Sequence, residues 1–448
     1  MKRVLNYLKQ NRLPIPIGLG IKLSKIPFGK RPGIGKLYEI QKKAIHSYSK
    51  YTALEKQEFI YRNFYKIFSY SYNEIPFYNK IYKEANIQPS DVRTFFDIQH
   101  VPIISKFDLL NSSLEDRSSP LKNRLLVNTG GSSGKSLSFY MDPNRYGNEW
   151  AHVHDMWSKF GFKPTDLKLS FDGRAKVSNK IVYDFVRNSL LYDIYADPKV
   201  LSVQLIKILE RYPIKYLHGY PSAIYEFALY CSTDNVLLNM LKKSLKAAFL
   251  SSEYPSPHYR DAIEKIFGIP TQSFYGHTET CVLAVETERF EYQTYQTYGF
   301  AESVEIESKN HLVGTSYFNY ASPLIRYDTS DLISPTNIEN GILNYFKIEE
   351  GRLGEYLIDK DNKRIPLTGL IYGRHHDLFN VSEHIQVCQE KPGSALILYV
   401  SKQEIPLDII KTMFNSDNIN IDFKFKHLTR PVLSSSGKTN LIVKKENL

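Results

Sequence analysis

The chain has 448 residues, of which 42% are apolar and 13% aromatic, and a formal charge of +11. That is enough apolar mass for a large core and two or three structural units, which excludes a disordered chain. Three widely spaced cysteines, Cys231, Cys281 and Cys388, make neither a disulfide framework nor a zinc pair, which points to a reducing, cytoplasmic setting.

The charge is concentrated at the start. Met1 to Lys43 holds eleven Lys or Arg against one acid, Glu39. Leu5, Leu8, Leu13, Ile15, Ile17, Leu19 and Ile21 are interleaved with those cations. Two readings stay open: a basic, apolar strip on an anionic membrane face, or a basic arm wrapped on the body. The apolar stretch behind Met1-Lys2-Arg3 is broken by Lys9, Gln10, Asn11 and Arg12, unlike a signal peptide. The run Leu13 to Ile21 is far short of the roughly 20 residues that span a bilayer. No RNP, zinc-finger or helix-turn-helix pattern accompanies the charge, so nucleic acid is not expected as a partner.

Leu37 to Ser71 is predicted to be mostly helical, until Ile75-Pro76-Phe77-Tyr78 interrupts the pattern. From about Arg124, short β-rich runs alternate with helical ones. Leu125 to Val127 is a predicted strand, Lys199 to Arg211 a helix, Lys215 to Leu217 a strand and Ser222 to Cys231 a helix. Ala247 to Leu250 (strand), Ser256 to Phe267 (helix) and Thr271 to Tyr275 (strand) continue the series. This alternation predicts an α/β body around a largely parallel sheet. After Tyr298 the pattern turns into strand pairs. The last 75 or so residues, from about Gly373, predict a small α+β module with a strand at Ala395 to Val400, a helix at Leu407 to Phe414 and two more strands. The expected organisation is a basic arm and helical region (1–120), a nucleotide-binding core (121–372) and a C-terminal lid (373–448).

Thr129-Gly130-Gly131-Ser132-Ser133-Gly134-Lys135 follows a short apolar strand, and its amides and hydroxyls suit phosphate oxygens. A Walker A loop requires glycine where Thr129 stands and a helix opened by its Lys-Ser pair. Here Leu137 to Met141 alternates like a strand and stops at Asp142-Pro143, so the loop is expected to be a hairpin tip.

With these residues the sequence resembles the adenylate-forming superfamily, whose members carry a Ser/Thr/Gly-rich loop ending in Gly-Lys between two strands. Its phenylacetate-CoA ligase branch looks closest. Ile75-Pro76-Phe77-Tyr78 and Val101-Pro102-Ile103-Ile104-Ser105-Lys106-Phe107-Asp108-Leu109 resemble that branch's "PFY" and "LPxxxKxDL" segments. Further segments follow in the required order: His218-Gly219-Tyr220-Pro221-Ser222-Ala223, then Ser251-Ser252-Glu253, Tyr275-Gly276-His277-Thr278-Glu279, Ile325-Arg326-Tyr327-Asp328-Thr329-Ser330-Asp331, Gly373-Arg374-His375-His376-Asp377, and Ser436-Gly437-Lys438. Ser330 stands where the family has Gly.

The resemblance implies the following roles. Ser252 and Glu253 lie near the adenine, on which Tyr275, beside Gly276, stacks. Thr278 bonds the α-phosphate, and Glu279 holds the Mg²⁺ that neutralises the leaving pyrophosphate. Asp331 accepts hydrogen bonds from the ribose hydroxyls, Arg374 reaches ribose or phosphates, and Asp377 marks the hinge. Lys438 enters with the lid and stabilises charge on the α-phosphate as the catalytic lysine. The implied reaction is ATP-dependent adenylation of a small carboxylate followed by acyl transfer to an amine, a hydroxyl or coenzyme A. The family's glycine-containing loop after the hinge is replaced by Leu378-Phe379-Asn380-Val381-Ser382-Glu383-His384, which weakens the case for coenzyme A. The small lid and helical N-terminus look most like the capsule-biosynthesis CapK group, whose role in polysaccharide assembly would bring residues 1–43 to the inner membrane surface. The enzymatic alternative is an aryl- or acyl-CoA ligase; a P-loop NTPase or an inactive scaffold are the others. His375 and His376 are expected to face solvent rather than bind metal, and His152, His154 and Trp157 to be packing residues.

Overall fold

The computed structural model describes residues 15–129, 137–172, 180–253, 255–349, 356–367, 370–371, 374, 376–382, 384–432 and 441–447. The first two strands stand apart from the rest: β1 (Leu125–Asn128) and β2 (Ser138–Met141) pair antiparallel with each other, Asn128 opposite Ser138. Twelve later strands form one sheet. They are β3 (Lys168–Phe171), β4 (Val182–Asp184), β5 (Ser189–Leu191), β6 (Tyr216–Gly219), β7 (Ala247–Leu250), β8 (Thr271–Gly276), β9 (Leu283–Glu288), β10 (Glu291–Thr294), β11 (Gly299–Ile306), β12 (Lys309–Ser316), β13 (Tyr327–Glu339) and β14 (Ile342–Ile348). Their spatial order is β11-β12-β13-β14-β10-β9-β8-β7-β6-β3-β5-β4.

Only the block β5-β3-β6-β7-β8 is parallel; the pairs on either side of it are antiparallel. The alternating strands expected before Tyr298 supply the parallel block, and the strand pairs expected after Tyr298 are the antiparallel β11 to β14. Tight turns such as Glu307-Ser308 and Asn340-Gly341, all at positive φ, can join only antiparallel neighbours, which is why the later strands pair in that way. Within the parallel block the strands are covered on both faces, so they read as unbroken apolar runs. Leu217, Ala248 and Leu250 face the core under helices Pro198–Leu209, Pro221–Thr233 and Pro257–Phe267. Tyr216, Ala247 and Phe249 face helix Tyr146–Ser158, whose Trp157 stacks on Phe249 at 4.7 Å between ring centres.

The predicted helical stretch from Leu37 is two helices, Leu37–Tyr48 and Ala53–Glu74, because Thr52 and Glu55 cap a new start. Ile60, Phe64, Ile67 and Phe68 of the second lie against Phe300, Leu312, Ile333 and Phe346, closing the antiparallel half. Pro76 then opens helix Pro76–Glu84. From residue 15 onward the basic segment is an arm laid on the body: Arg31 is buried and donates to the carbonyls of Ser24, Ile26, Pro164 and Val186.

The C-terminal part holds β15 (Tyr356–Ile358) paired with β16 (Arg364–Pro366), then a separate sheet of β17 (His384–Lys391), β18 (Ser394–Val400) and β19 (Asp422–Leu428), with helix Leu407–Met413 between the last two. Its Ile385, Val387, Ile397, Ile410 and Phe414 belong to one continuous apolar core with Leu357, Leu367, Leu370, Leu378 and the parallel block. Among the described residues no helix is long and apolar enough to cross a membrane.

Candidate functional site

The site is assembled at the carboxyl ends of the parallel strands. Gly219 ends β6 at φ +141°, and a Cβ there would sit 2.1 Å from the Phe171 carbonyl oxygen, so only glycine lets β6 lie this close to β3. The chain turns at Tyr220 into helix Pro221–Thr233. Ser251 on the next strand end donates to the Gly219 carbonyl at 3.0 Å. Ser252 is exposed at φ +69°, while Glu253 turns inward. The Glu253 carboxyl accepts from the Ser222 N–H at 3.2 Å, at the N-terminus of that helix. Burial pushes its pKa up to about 7 against that hydrogen bonding.

β8 delivers the most informative group. Tyr275 donates its hydroxyl to Asp331 at 2.5 Å, and its ring meets Phe346 edge-on. Burial, reinforced by the Asp331 charge, keeps that phenol protonated. Gly276 and Thr278 are exposed. Glu279 lies 3.2 Å from His277 Nδ1, and the Val282 N–H lies 3.3 Å from His277 Nε2. Burial alone would raise the Glu279 carboxyl; hydrogen bonding from His277 and the charge of Lys106 hold it below the ordinary value.

Two segments far away in sequence position this group. Ile104 bridges to Tyr327, with Ile104 N–H on the Arg326 carbonyl at 3.0 Å and Asp328 N–H on the Ile104 carbonyl at 2.9 Å. Ser105 and Asp108 then cap a short helix that begins at Lys106. Tyr78 donates to the Pro323 carbonyl at 2.9 Å and accepts from the Ile325 N–H at 3.2 Å, fixing the strand that leads to Asp331. Ser330 sits at φ +61°, the conformation for which glycine is the usual residue, with its N–H on Asp328 at 2.8 Å.

Gly130, Gly131, Ser132, Ser133, Gly134, Lys135, Gly373, His375 and Lys438 lie outside the described residues. Thr129 closes the hairpin stem: its N–H bonds the Leu137 carbonyl at 2.9 Å and its Oγ1 accepts from the Leu137 N–H at 3.0 Å. On either side of the loop the described residues are two antiparallel strands, and the first helical turn among them starts at Pro143, which is not the strand-to-helix geometry of a P-loop. The stem is bonded to Asn319 and Ser322, and Asn319 lines one niche together with Thr280. Asn319 thus sits between the β2 part of the stem and the turn that follows Glu279.

Arg374 is buried over the Tyr195 ring, 4.3 Å from its centre, and bonds Asn415 through Nη1 at 3.1 and 3.2 Å. Asp377 is exposed at the start of a short 3-10 turn. The expectation that His376 faces solvent is wrong. It is buried, stacks on Phe414 at 4.1 Å, donates to Leu370 and accepts from the Asn415 N–H, because the chain folds back on itself there. His152, bonded to the Asn148 carbonyl and Thr297, and His154, bonded to Tyr38, are core residues, as is Trp157. His277, Lys106 and Tyr195 had no assigned role in the sequence reading; the first two lay inside the quoted segments, whereas nothing local marks Tyr195.

No family model matches the chain. In sequence it is 24% identical over 424 residues to Protein CapK of Staphylococcus aureus, covering 92% of this chain and 87% of that one. Among solved structures, 2-hydroxyisobutyryl-CoA ligase with 2-HIB-AMP and CoA, in the thioesterification state, superposes with a TM-score of 0.55 at 16% identity, covering 88% of this chain and 91% of that one. The same ligase in the postadenylation state with R3-HIB-AMP gives a TM-score of 0.50 at 16% identity over 86% and 89%. The mixed sheet, the mirrored motif order and these likenesses agree: this chain has the fold of the adenylate-forming ligases and is similar along most of its length to Protein CapK.

Proposed function

We propose that the chain is an AMP-forming ligase that activates a small carboxylic acid with ATP and passes the acyl group to an acceptor. The observation that carries this reading is the linkage of Tyr275 to Asp331 at 2.5 Å beside a Glu279 held ionised by His277. Asp331 offers carboxylate oxygens to a ribose diol, and the exposed Thr278 offers a hydroxyl to the α-phosphate. Glu279 is the residue that would hold a magnesium ion, as a single carboxylate ligand. When bound, that ion would neutralise the leaving pyrophosphate. The loop Thr129 to Lys135 would orient the phosphates, Ser252, Glu253 and Gly276 would frame the base, Arg374 would approach ribose or phosphate, and Asp377 would mark the pivot of a lid from residue 373 that carries Lys438 to the α-phosphate.

Carboxylate-dependent ATP–pyrophosphate exchange over a library of acids tests the reading. Exchange is expected with at least one acid and a fall of at least about a hundredfold in Lys438→Ala, the scale of one lost charge-stabilising group. No exchange with any acid would remove the proposal; full exchange in the variant would remove Lys438 from it.

The acceptor divides two forms of the reaction. Similarity to Protein CapK favours an amine or hydroxyl in surface-polysaccharide assembly, with residues 1–43 at the inner membrane surface. The solved neighbour bound to CoA favours a thioester. Comparable trapping by hydroxylamine and coenzyme A would select the second, trapping by hydroxylamine alone the first. Sedimentation with anionic vesicles that is lost on deleting residues 1–43 would support the membrane contact, and no vesicle binding would remove it.

A further inference from the structure

Asp331 is delivered to the site by a bulge in the sheet. In the β12–β13 pair His311 lies opposite Leu332 and Val313 opposite Asp328, so Leu312 alone faces Thr329, Ser330 and Asp331. Extra residues in one strand bend it and re-aim the side chains that they carry. The Thr329 hydroxyl fills the gap left in the ladder, donating to the Leu312 carbonyl at 2.7 Å and accepting from the Asp331 N–H at 3.2 Å. What the bulge presents is the Asp331 carboxylate, which accepts from the Tyr275 hydroxyl at 2.5 Å.

The crest of the bulge is its weak point. Ser330 is exposed and sits at φ +61°, a conformation that glycine takes freely and a residue with a Cβ does not. Its N–H bonds Asp328 Oδ1 at 2.8 Å, the way an aspartate sets a turn two residues on. That carboxylate is oriented in its turn from the neighbouring strand: His311 Nδ1 lies 3.1 Å from Asp328 Oδ1 and 3.2 Å from Oδ2. An ionised carboxylate only accepts, so the ring N–H donates. The two side chains are 18% and 13% exposed, which shields the contact from the screening that makes surface pairs weak. The Asp328 backbone is fixed independently, its N–H on the Ile104 carbonyl at 2.9 Å.

Resting on the reading of Asp331 as the ribose acid, we propose that His311 is a positioning residue of the nucleotide site: through Asp328 it braces the Ser330 turn and so sets the Asp331 carboxylate at the ribose hydroxyls. Without the ring N–H the Asp328 carboxylate turns away, Ser330 relaxes toward negative φ, and Asp331 moves off the diol. The loss therefore falls on a nucleotide that carries both hydroxyls, because a site built to bond a hydroxyl is what separates a ligand from its deoxy form.

The test is calorimetric binding of ATP, 2′-deoxy-ATP and 3′-deoxy-ATP, each with magnesium, to the parent chain, His311→Leu, His311→Phe and His311→Asn. The parent is expected to bind ATP about tenfold more tightly than either deoxy form, the scale of one hydrogen bond to a charged group. In the leucine and phenylalanine variants, two apolar replacements so that misfolding of one leaves the other, that ratio should fall below about threefold as the bond is lost. His311→Asn puts an amide N–H where Nδ1 lies and should keep the parent's ratio. A role in stability alone would weaken all three nucleotides alike and leave the ratio untouched, which would overturn the proposal. A parent that does not distinguish ATP from its deoxy forms, or an asparagine variant that behaves like the leucine one, would overturn it as well. The adenylation reading stands or falls separately, on ATP–pyrophosphate exchange; a parent that binds no ATP removes both.

Discussion

At the scale of single residues, Glu253 shows most clearly how the fold spends chemistry on its own construction. Its buried carboxyl holds a proton up to about pH 7, whereas an unfolded glutamate gives it up near 4.5. Between those values the folded state binds more protons than the unfolded, so stability falls as pH rises through the window and the loss is complete above it. With a shift of this size the cost above pH 7 is about 3 kcal/mol. Glu253→Gln is expected to abolish that slope and to be more stable than the parent at pH 8. Urea midpoints at pH 5, 6, 7 and 8 check it, and parallel curves for the two proteins would refute the buried, protonated carboxyl. His277 works in the opposite sense on Glu279, keeping it charged where burial would neutralise it.

At the scale of elements, what could be read from sequence depended on whether the determining contacts are local. The strands at Ala247–Leu250 and Thr271–Gly276 and the helices at Pro198–Leu209, Pro221–Thr233 and Pro257–Phe267 carry their own apolar pattern and punctuation, and they occur where expected. The hairpin stem was legible from the alternation of Leu137 to Met141. β4, β5, β9 and β10 were not, because they are short or partly polar and owe their strand state to neighbours in the sheet. The site divides in the same way: nothing in the motifs indicated that Tyr275 would bond Asp331, nor that Tyr78 would bind a segment 245 residues away. Tyr78 lends itself to a test of element positioning. Tyr78→Phe removes one hydroxyl and leaves the Pro323 carbonyl and the Ile325 N–H unmet in a buried place, at a cost of about 1–3 kcal/mol. Because it holds the strand leading to Asp331, the KM for ATP should rise more than the KM for the acid. Equal effects on both would mean that the bond serves stability alone.

At the scale of the whole molecule, the C-terminal sheet and the parallel block share one apolar core. Burying Leu357, Leu367, Leu370, Ile371 and Leu378 against side chains from both parts contributes about 1.5–3 kcal/mol for each. Ending the chain at residue 372 is therefore expected to give an aggregating product or one with a much lower melting temperature. A soluble, cooperative fragment melting at the parent's temperature would show that the two cores are energetically separate. The hairpin adds a different constraint. Among the described residues no strand lies on the outer side of β2; instead Arg117 donates to the Ser138 carbonyl, Ser322 accepts from the Tyr140 N–H and Asn319 donates to the Tyr140 carbonyl. Those side chains flank the very stretch that runs on to Asp331. The stem that ends at Thr129 and the stretch that leads to Asp331 are thus stitched together by side chains rather than by a shared ladder, so a displacement of one is passed to the other.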